Sequence, residues 1–283
     1  MSLQIKVPAT LADLAEAARI NRIDTMDMFA AAGNGHYGSC FSCAEIVTAL
    51  YFNVMRLDPA HPDWPERDRF VLGKGHAAPT LYSALIRRGY MPEHWIHEFE
   101  AKVGVKLMTH PSRRYQPGVD ASGGALGHGL SIGVGMALAG KIDRRDYRSF
   151  VLLGDGEIQE GSVWEAFASA AKYRLGHLVA IIDANGLSVD GTLDEVMPME
   201  PLADKLAAFG WEVVECDGHD LAALLRVLDI GRDRLDAPPR AIIARTIKGR
   251  GVSFMENVRR WHADVLTSDE DRLARAELTR ALS

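Results

Sequence analysis

Val151-Leu-Leu-Gly-Asp-Gly-Glu-Ile-Gln-Glu-Gly-Ser162 and, further on, Ile181-Ile-Asp-Ala-Asn-Gly-Leu187 decide the fold. The apolar run Phe150 to Leu153 stops at Gly154-Asp155-Gly156, and the run Leu178 to Ile182 stops at Asp183-Ala184-Asn185-Gly186. Between them Glu160 to Tyr173 reads as a helix. Strand, turn, helix, strand and turn form one βαβ unit with parallel strands. Both turns therefore leave the sheet at the same edge, where ligands bind in open α/β sheets. Asp155 offers a carboxylate, Asn185 an amide oxygen, and the following turn bare carbonyls. Hard oxygen donors converging there suit Mg²⁺ or Ca²⁺. Gly154 and Gly156 let a backbone N–H approach a ligand closely, which suits phosphate.

Outward from this unit, strands and helices alternate, as in a doubly wound, mostly parallel α/β sheet. The reading has helices over Thr10–Ala32 (capped by Thr10, with Leu11, Leu14, Ala18, Ile20 and Met26 on its apolar stripe), Ser42–Val54, Ala78–Arg88, Pro92–Phe99 and Gly127–Lys141. Further helices are expected over Glu200–Phe209 and His219–Ile230, and strands over Arg69–Leu72, Trp211–Cys216 and Ala241–Thr246. Gly33 to Gly38 is a glycine-rich loop, 58–67 a proline-rich one, and 108–125 an irregular stretch whose length marks it as functional. The glycines of the 127–141 helix make sense where another backbone packs very close. Residues 1–9 are a lead-in, and 266–283 a helical tail with Leu273, Leu278 and Leu282 on one side. No linker or repeat divides residues 1–283, so one domain is expected.

With 47% hydrophobic and 25% charged residues, the chain has the composition of a soluble globular protein. A net charge of −6 without a basic block argues against nucleic acid as a partner. No signal pattern is present and no apolar run reaches about 18 residues, so no membrane role is expected and the location is cytoplasmic. Cys40, Cys43 and Cys216 are too few for a disulfide scaffold. Cys40-Phe-Ser-Cys43 lacks the further ligands of a zinc site, and packing is its expected role.

Four histidines fall in loops after elements: His36, His76, His110 and His262. Singly, each reads as an exposed or capping residue. Together, and beside the Gly-Asp-Gly turn, they read as donors to phosphate and substrate oxygens.

Gly154-Asp155-Gly156, with Asn185 at the end of the next strand, resembles the thiamine diphosphate fingerprint. Glu160-Gly161, Trp164-Glu165-Ala166, Phe70-Val-Leu-Gly-Lys-Gly-His76 and Gly124-Ala-Leu-Gly-His-Gly-Leu-Ser131 narrow the resemblance to the transketolase family. So do Lys248-Gly-Arg-Gly251, Ser253-Phe-Met-Glu-Asn257 and Trp261-His262. The match runs from about residue 10 to about residue 265.

That resemblance implies roles. Asp155, Asn185 and the Leu187 carbonyl would hold Mg²⁺, with Ca²⁺ or Mn²⁺ as substitutes. The loop Gly154, Asp155, Gly156 and Glu157, with Asn185, His76 and His262, would hold the cofactor's diphosphate end. Gly124, Ala125 and Leu126 would lie against its aminopyrimidine. His36, His110 and His262 would face the sugar and serve proton transfers. Glu160 would meet a partner carboxylate at a subunit contact; its plainer reading is a helix N-terminal acid favoured by the macrodipole. Tyr37 stands where the family usually has proline, His128 for a usual glutamine and Ala263 for a common glycine. Tyr37 and His128 are expected to reshape the sugar pocket.

In this family a second, pyrimidine-binding domain supplies the activating glutamate. The chain stops near where the first domain ends, which resembles the N-terminal subunit of a split transketolase. The resemblance then implies a C-terminal transketolase subunit for a partner, a dimer of heterodimers, and sugar phosphates as substrates for two-carbon ketol transfer. Three other readings remain: another thiamine diphosphate enzyme (a synthase, or the α-subunit of a 2-oxo acid dehydrogenase), a non-catalytic binding subunit of the same fold, and a nucleotide-binding module. The last lacks a phosphate-loop motif at a strand end.

Overall fold

The computed structural model describes residues 7–101 and 103–280. Five parallel strands form the sheet: β1 (Arg69–Leu72), β2 (Ser149–Gly154), β3 (Leu178–Ala184), β4 (Glu212–Asp217) and β5 (Arg240–Arg245), in the order β1-β2-β3-β5-β4. The pairing Leu152 with Ile181 and Gly154 with Asp183 brings the two turns of the βαβ unit level with each other. Alternate side chains of the strands enter two separate cores. Phe70, Leu72, Phe150, Leu152, Val179, Ile181 and Ile242 face one, and Val71, Val151, Leu153, Ala180, Ile182 and Ile243 the other. A strand covered on both faces must be apolar at every position. The unbroken runs at 150–153 and 178–182 have this cause.

The first core is covered by α1 (Leu11–Ala32), α2 (Tyr37–Ser42), α3 (Ala44–Ala49) and α4 (Ala78–Arg87). The second is covered by α5 (Gly129–Ile142), α6 (Gly161–Lys172) and, after the short α7 (Leu193–Val196), by α8 (Leu202–Ala208). Next come α9 (Leu221–Leu228), on the first face, and α10 (Ser268–Arg280), which packs on α1. Thr10 and Asp13 exchange hydrogen bonds in a capping box at the start of α1, and Gly33 ends it at φ +78°.

Several expectations need correction. Helix resumes at Tyr37 instead of Ser42, pauses at Cys43, and ends in a π-turn over Leu50–Val54. The reason is packing: Tyr37 is buried edge-on against Phe29, Phe41 and Trp261. The 92–99 segment is a 3₁₀ turn, Glu93–Glu98. Leu11 is exposed in the first turn of α1, while Leu14, Ala18, Ile20 and Met26 are buried. On α10, Leu273 faces water and Ala274 joins Leu278 in the buried stripe; Leu282 lies outside the described residues. Of the lead-in, Ala9 is fixed, its N–H donating to Phe52 O and its carbonyl accepting from Asn53. Helix α7 was not anticipated. Cys40 and Cys43 are buried and unpaired, and burial pushes their thiols up to about 12 and about 11. No described helix is long and apolar enough to cross a membrane.

The glycines of α5 sort by face. A Cβ at Gly129 would lie 2.7 Å from Gly73 Cα, so there the neighbour is backbone. At Gly133 it would lie 2.3 Å from Val151 Cγ2, while at Gly135 it would meet nothing. Gly133→Ala should therefore destabilise the chain by about 1–3 kcal/mol through overpacking. Gly135→Ala should stabilise it by up to about 1 kcal/mol through helix propensity. Urea unfolding of the two variants checks this, and similar effects of equal sign would contradict the seating of α5 on β2.

Candidate functional site

The carboxyl ends of β1, β2, β3 and β5 release four loops at one edge. Glycine lets the first two and their neighbours nest. A Cβ on Gly73 would lie 2.6 Å from the Glu157 carboxylate, and one on Gly75 2.8 Å from Gly124 N. Gly127, at φ +84°, sits under the Glu160 side chain.

At the end of β2, Asp155 is buried. Its Oδ1 accepts from the Gly156 N–H at 2.8 Å and its Oδ2 from the Gly186 N–H at 2.6 Å, tying the β2 turn to the β3 turn. Burial, and then the neighbouring Asp183, push the Asp155 carboxyl up to about 6. Asn185 Oδ1 accepts from the Leu187 N–H at 3.1 Å. Asp155, Asn185 and Leu187 line one cavity together with His76, Leu126, Gly154, Gly156, Glu157, Lys248 and His262. A cation there would meet a carboxylate, an amide oxygen and carbonyls, the donor set of a hard divalent ion. A buried carboxylate whose two hydrogen bonds come from backbone N–H groups favours such a partner. Among the described residues no cluster of three His, Cys, Asp or Glu side chains competes as a metal site.

Three of the loop histidines form a triangle. Ring centroids are 5.2 Å apart for His36 and His76, 5.7 Å for His36 and His262, and 5.3 Å for His76 and His262. His110 joins them from the long loop, packed on Gly75 and Gly124. Burial lowers the pKa of His36, that of His76 far below its ordinary value, and that of His262 to about 4. Lys248 and Lys74 add to the lowering at His76 and His262. These rings are neutral at pH 7, each with one N–H to give and one lone pair to accept.

Two lysines carry the site's charge, and sequence reasoning named neither as a site residue. Lys74 is buried, donating to Ser39 O at 2.7 Å and pairing closely with the fully buried Asp183. Burial opposes the charge on both, but each outweighs that for the other: Lys74 is held above its ordinary value and Asp183 below. Ser42 and Thr246 also donate to Asp183. Lys248, buried at the end of the β5 loop, donates to Leu187 O at 2.9 Å, and its Nζ lies 2.9 Å from His262 Nδ1. Burial lowers its pKa to about 8. The available signal was a single lysine within three residues of the end of each of two strands.

The remaining expected residues divide. Leu126 lines the cavity, while Gly124, at φ +138°, Ala125 and His128 line a second groove with Gly73 and Gly129. Glu160 is exposed at the start of α6, outside the histidine triangle. Tyr37 points into the aromatic core behind His36, so it does not line the pocket. Lysine donors, a carboxylate with amide and carbonyl oxygens, and neutral imidazoles thus share one edge of a parallel sheet.

A family model, "Transketolase, thiamine diphosphate binding domain", matches residues 14–280. The chain belongs to the transketolase family. It is similar to one subunit of the apulose-4-phosphate transketolase from Phocaeicola vulgatus, 42% identical over 88% of each chain. It is also similar to the 6-deoxy-6-sulfo-D-fructose transketolase subunit SqwG of a Clostridium species, 41% identical over 94% of this chain and 96% of that one. Among solved structures, a Campylobacter jejuni transketolase superposes with a TM-score of 0.88 at 28% identity, covering 95% of this chain. This chain spans 43% of that transketolase and 40% of the Pichia stipitis enzyme.

The Lys74–Asp183 pair generates a prediction. Asp183→Asn leaves the Lys74 ammonium buried with neutral partners. Breaking a buried pair in this way should lower unfolding stability at pH 7 by about 3–5 kcal/mol, read by denaturant titration. A loss under about 1 kcal/mol would mean that other groups compensate the ammonium.

Proposed function

We propose that the chain is the diphosphate-binding subunit of a two-subunit transketolase that moves a two-carbon ketol unit from a ketose phosphate to an aldose phosphate. It would act in the cytoplasm with thiamine diphosphate and Mg²⁺. The observation that carries this reading is the convergence of Asp155, Asn185 and the Leu187 carbonyl with the histidine triangle at one sheet edge. Bound thiamine diphosphate supplies the electron sink that carbon–carbon cleavage next to a carbonyl requires.

Asp155, Asn185 and Leu187 would hold the Mg²⁺, for which Ca²⁺ or Mn²⁺ can substitute. The Gly156 N–H, His76, His262 and Lys248 would donate to the diphosphate. Gly124, Ala125 and Leu126 would shape the floor under the aminopyrimidine. His36, His110 and His262, on the open side, would orient sugar hydroxyls and move protons. Burial keeps the His36 and His262 rings uncharged at neutral pH, so each has one N–H to donate to a sugar hydroxyl and one lone pair to accept from another.

Two features support a partner. Glu160 projects into solvent beside Gly127, where a second subunit's carboxylate would reach it. Helix α5 exposes Ser131, Gly135, Ala139 and Ile142 on one face, an apolar small-residue surface suited to close helix contact. The two relatives described above carry subunit names. A C-terminal subunit with the pyrimidine-binding domain, in a dimer of heterodimers, completes the reading.

Asp155→Ala tests the metal assignment. With the partner subunit present, calorimetry should show metal-dependent thiamine diphosphate affinity falling by about 100-fold or more. The metal-free chain should still fold cooperatively, its unfolding midpoint lowered by the loss of the two backbone N–H bonds that Asp155 accepts. Retained affinity would refute the ligand role.

A further inference from the structure

One residue before Lys248, the Ile247 N–H donates to His219 Nε2 at 2.9 Å. A backbone amide only donates, so Nε2 is the unprotonated ring nitrogen. Nδ1 then carries the proton and gives it to Glu45 Oε2 at 3.0 Å. Glu45 is gripped by Arg22 through Nη1 at 2.7 Å and Nη2 at 2.8 Å, and Arg22 Nη2 also donates to Phe41 O at 2.8 Å. The three side chains are nearly excluded from water, at 6%, 11% and 8% exposure for Arg22, Glu45 and His219. Burial opposes the charge on Glu45, but Arg22 and His219 outweigh it and bring the carboxyl down to about 2. The His219 backbone is fixed as well, its N–H donating to Asp217 Oδ1 at 2.8 Å.

This line of bonds runs from α1 through α3 and the β4–α9 loop to the segment leaving β5. It reaches that segment where Lys248 turns inward. On the far side of the same turn, a Cβ at Gly251 would lie 3.5 Å from Arg22 Cδ, so His219 holds one end of the turn and Arg22 backs the other. Between those ends the Gly249 N–H donates to Gly38 O and the Asn257 N–H to Lys248 O. An imidazole bonded through both nitrogens in opposite directions sets the backbone of Ile247 at one distance from the α1–α3 frame.

We propose that His219 is a positioning residue for the cofactor site: through the Ile247 amide it fixes the loop that aims Lys248 at the Leu187 carbonyl and His262. This rests on the function proposed above, since it is diphosphate binding that the Lys248 loop would serve. His219 touches neither cofactor nor substrate and acts through the backbone.

Two substitutions separate its two bonds. In His219→Asn the amide nitrogen falls near the Nδ1 position, keeping the donor to Glu45 and losing the acceptor for Ile247. In His219→Gln the side-chain oxygen falls near the Nε2 position, keeping that acceptor and losing the donor to Glu45. Thiamine diphosphate with Mg²⁺ is titrated calorimetrically into the wild-type complex with its partner subunit and into both variant complexes. Exchange of the Ile247 amide hydrogen is followed in parallel. The Asn variant should bind the cofactor about ten-fold more weakly, the worth of one lost hydrogen bond, with faster exchange at Ile247. The Gln variant should stay near wild type on both measures. Equal weakening in both variants, or weakening in the Gln variant alone, would overturn the proposal and leave His219 a structural partner of Glu45. Should the Asn variant fail to fold, the Gln variant decides alone: a ten-fold loss there overturns it. Absence of thiamine diphosphate binding in the wild-type complex would instead refute the proposed function.

Discussion

The ion pair between Lys74 and Asp183 governs the geometry of the whole sheet edge. Lys74 leaves the end of β1 and Asp183 stands at the end of β3, with β2 between them. The lysine side chain therefore crosses the end of β2, its Cδ passing 3.7 Å from where a Gly154 Cβ would stand. Ser39, Ser42 and Thr246 complete the bonding, so segments from α2, β1, β3 and β5 meet at two buried charges. Removing such charges from water is costly, and only full hydrogen bonding with good geometry offsets that cost. Its return is uniqueness of arrangement: the loops carrying His36, His76 and Asn185 are each within a few residues of a member of this network.

Glycine makes the nesting of those loops feasible. Where Gly73, Gly75 and Gly127 stand, a single methyl group would collide with Glu157, Gly124 and Glu160 respectively. These glycines weaken local structure, and the ion pair beneath them restores order. Close loop packing brings the Lys248 ammonium and the His76 and His262 rings to one cavity wall, donors of the kind an anion requires.

Much of this was legible because parallel strands buried on both faces are written as unbroken apolar runs, and parallel strands end at one edge. Asp155, Asn185 and His76 could be assembled on those grounds; His36, His110 and His262 lie in loops that do not directly follow a strand. What escaped has physical causes. A lone lysine reads as surface, because nothing local says that its partner stands more than a hundred positions away; Lys74 and Asp183 are such a case. The start of α2 was hidden because Gly33 to Gly38 carries breaker chemistry, whereas the helix is set by the contact of Tyr37 with Phe29 and Trp261. Leu11 and Leu273 misled the facing of their helices: Leu11 stands in the first turn of α1, and on α10 the turn of the helix puts Ala274 inside in place of Leu273. Helix α7 spans only Leu193–Val196 and is held by a capping box between Thr192 and Glu195, too short for any periodicity to register.

The two lysines of the site differ in a way that bears on how it fills. Lys74 has a carboxylate partner. Among the described residues Lys248 has none in ion-pair contact; it gives its protons to the carbonyls of Leu187 and Ser188, against His262. Leu187 is also the residue whose carbonyl the proposed function assigns to Mg²⁺. A dication held by that oxygen would share it with the Lys248 ammonium, which donates to it at 2.9 Å, and the repulsion would oppose metal binding alone. A diphosphate beside both cations would reverse the sign of that interaction, because each cation would then meet a polyanion in the same cavity. On the proposed function, metal and diphosphate would therefore favour each other's binding, and by linkage the favour would be equal in both directions. The buried lysine would thus make this sheet edge, on the proposed function, a site for the pair of ligands more than for either one.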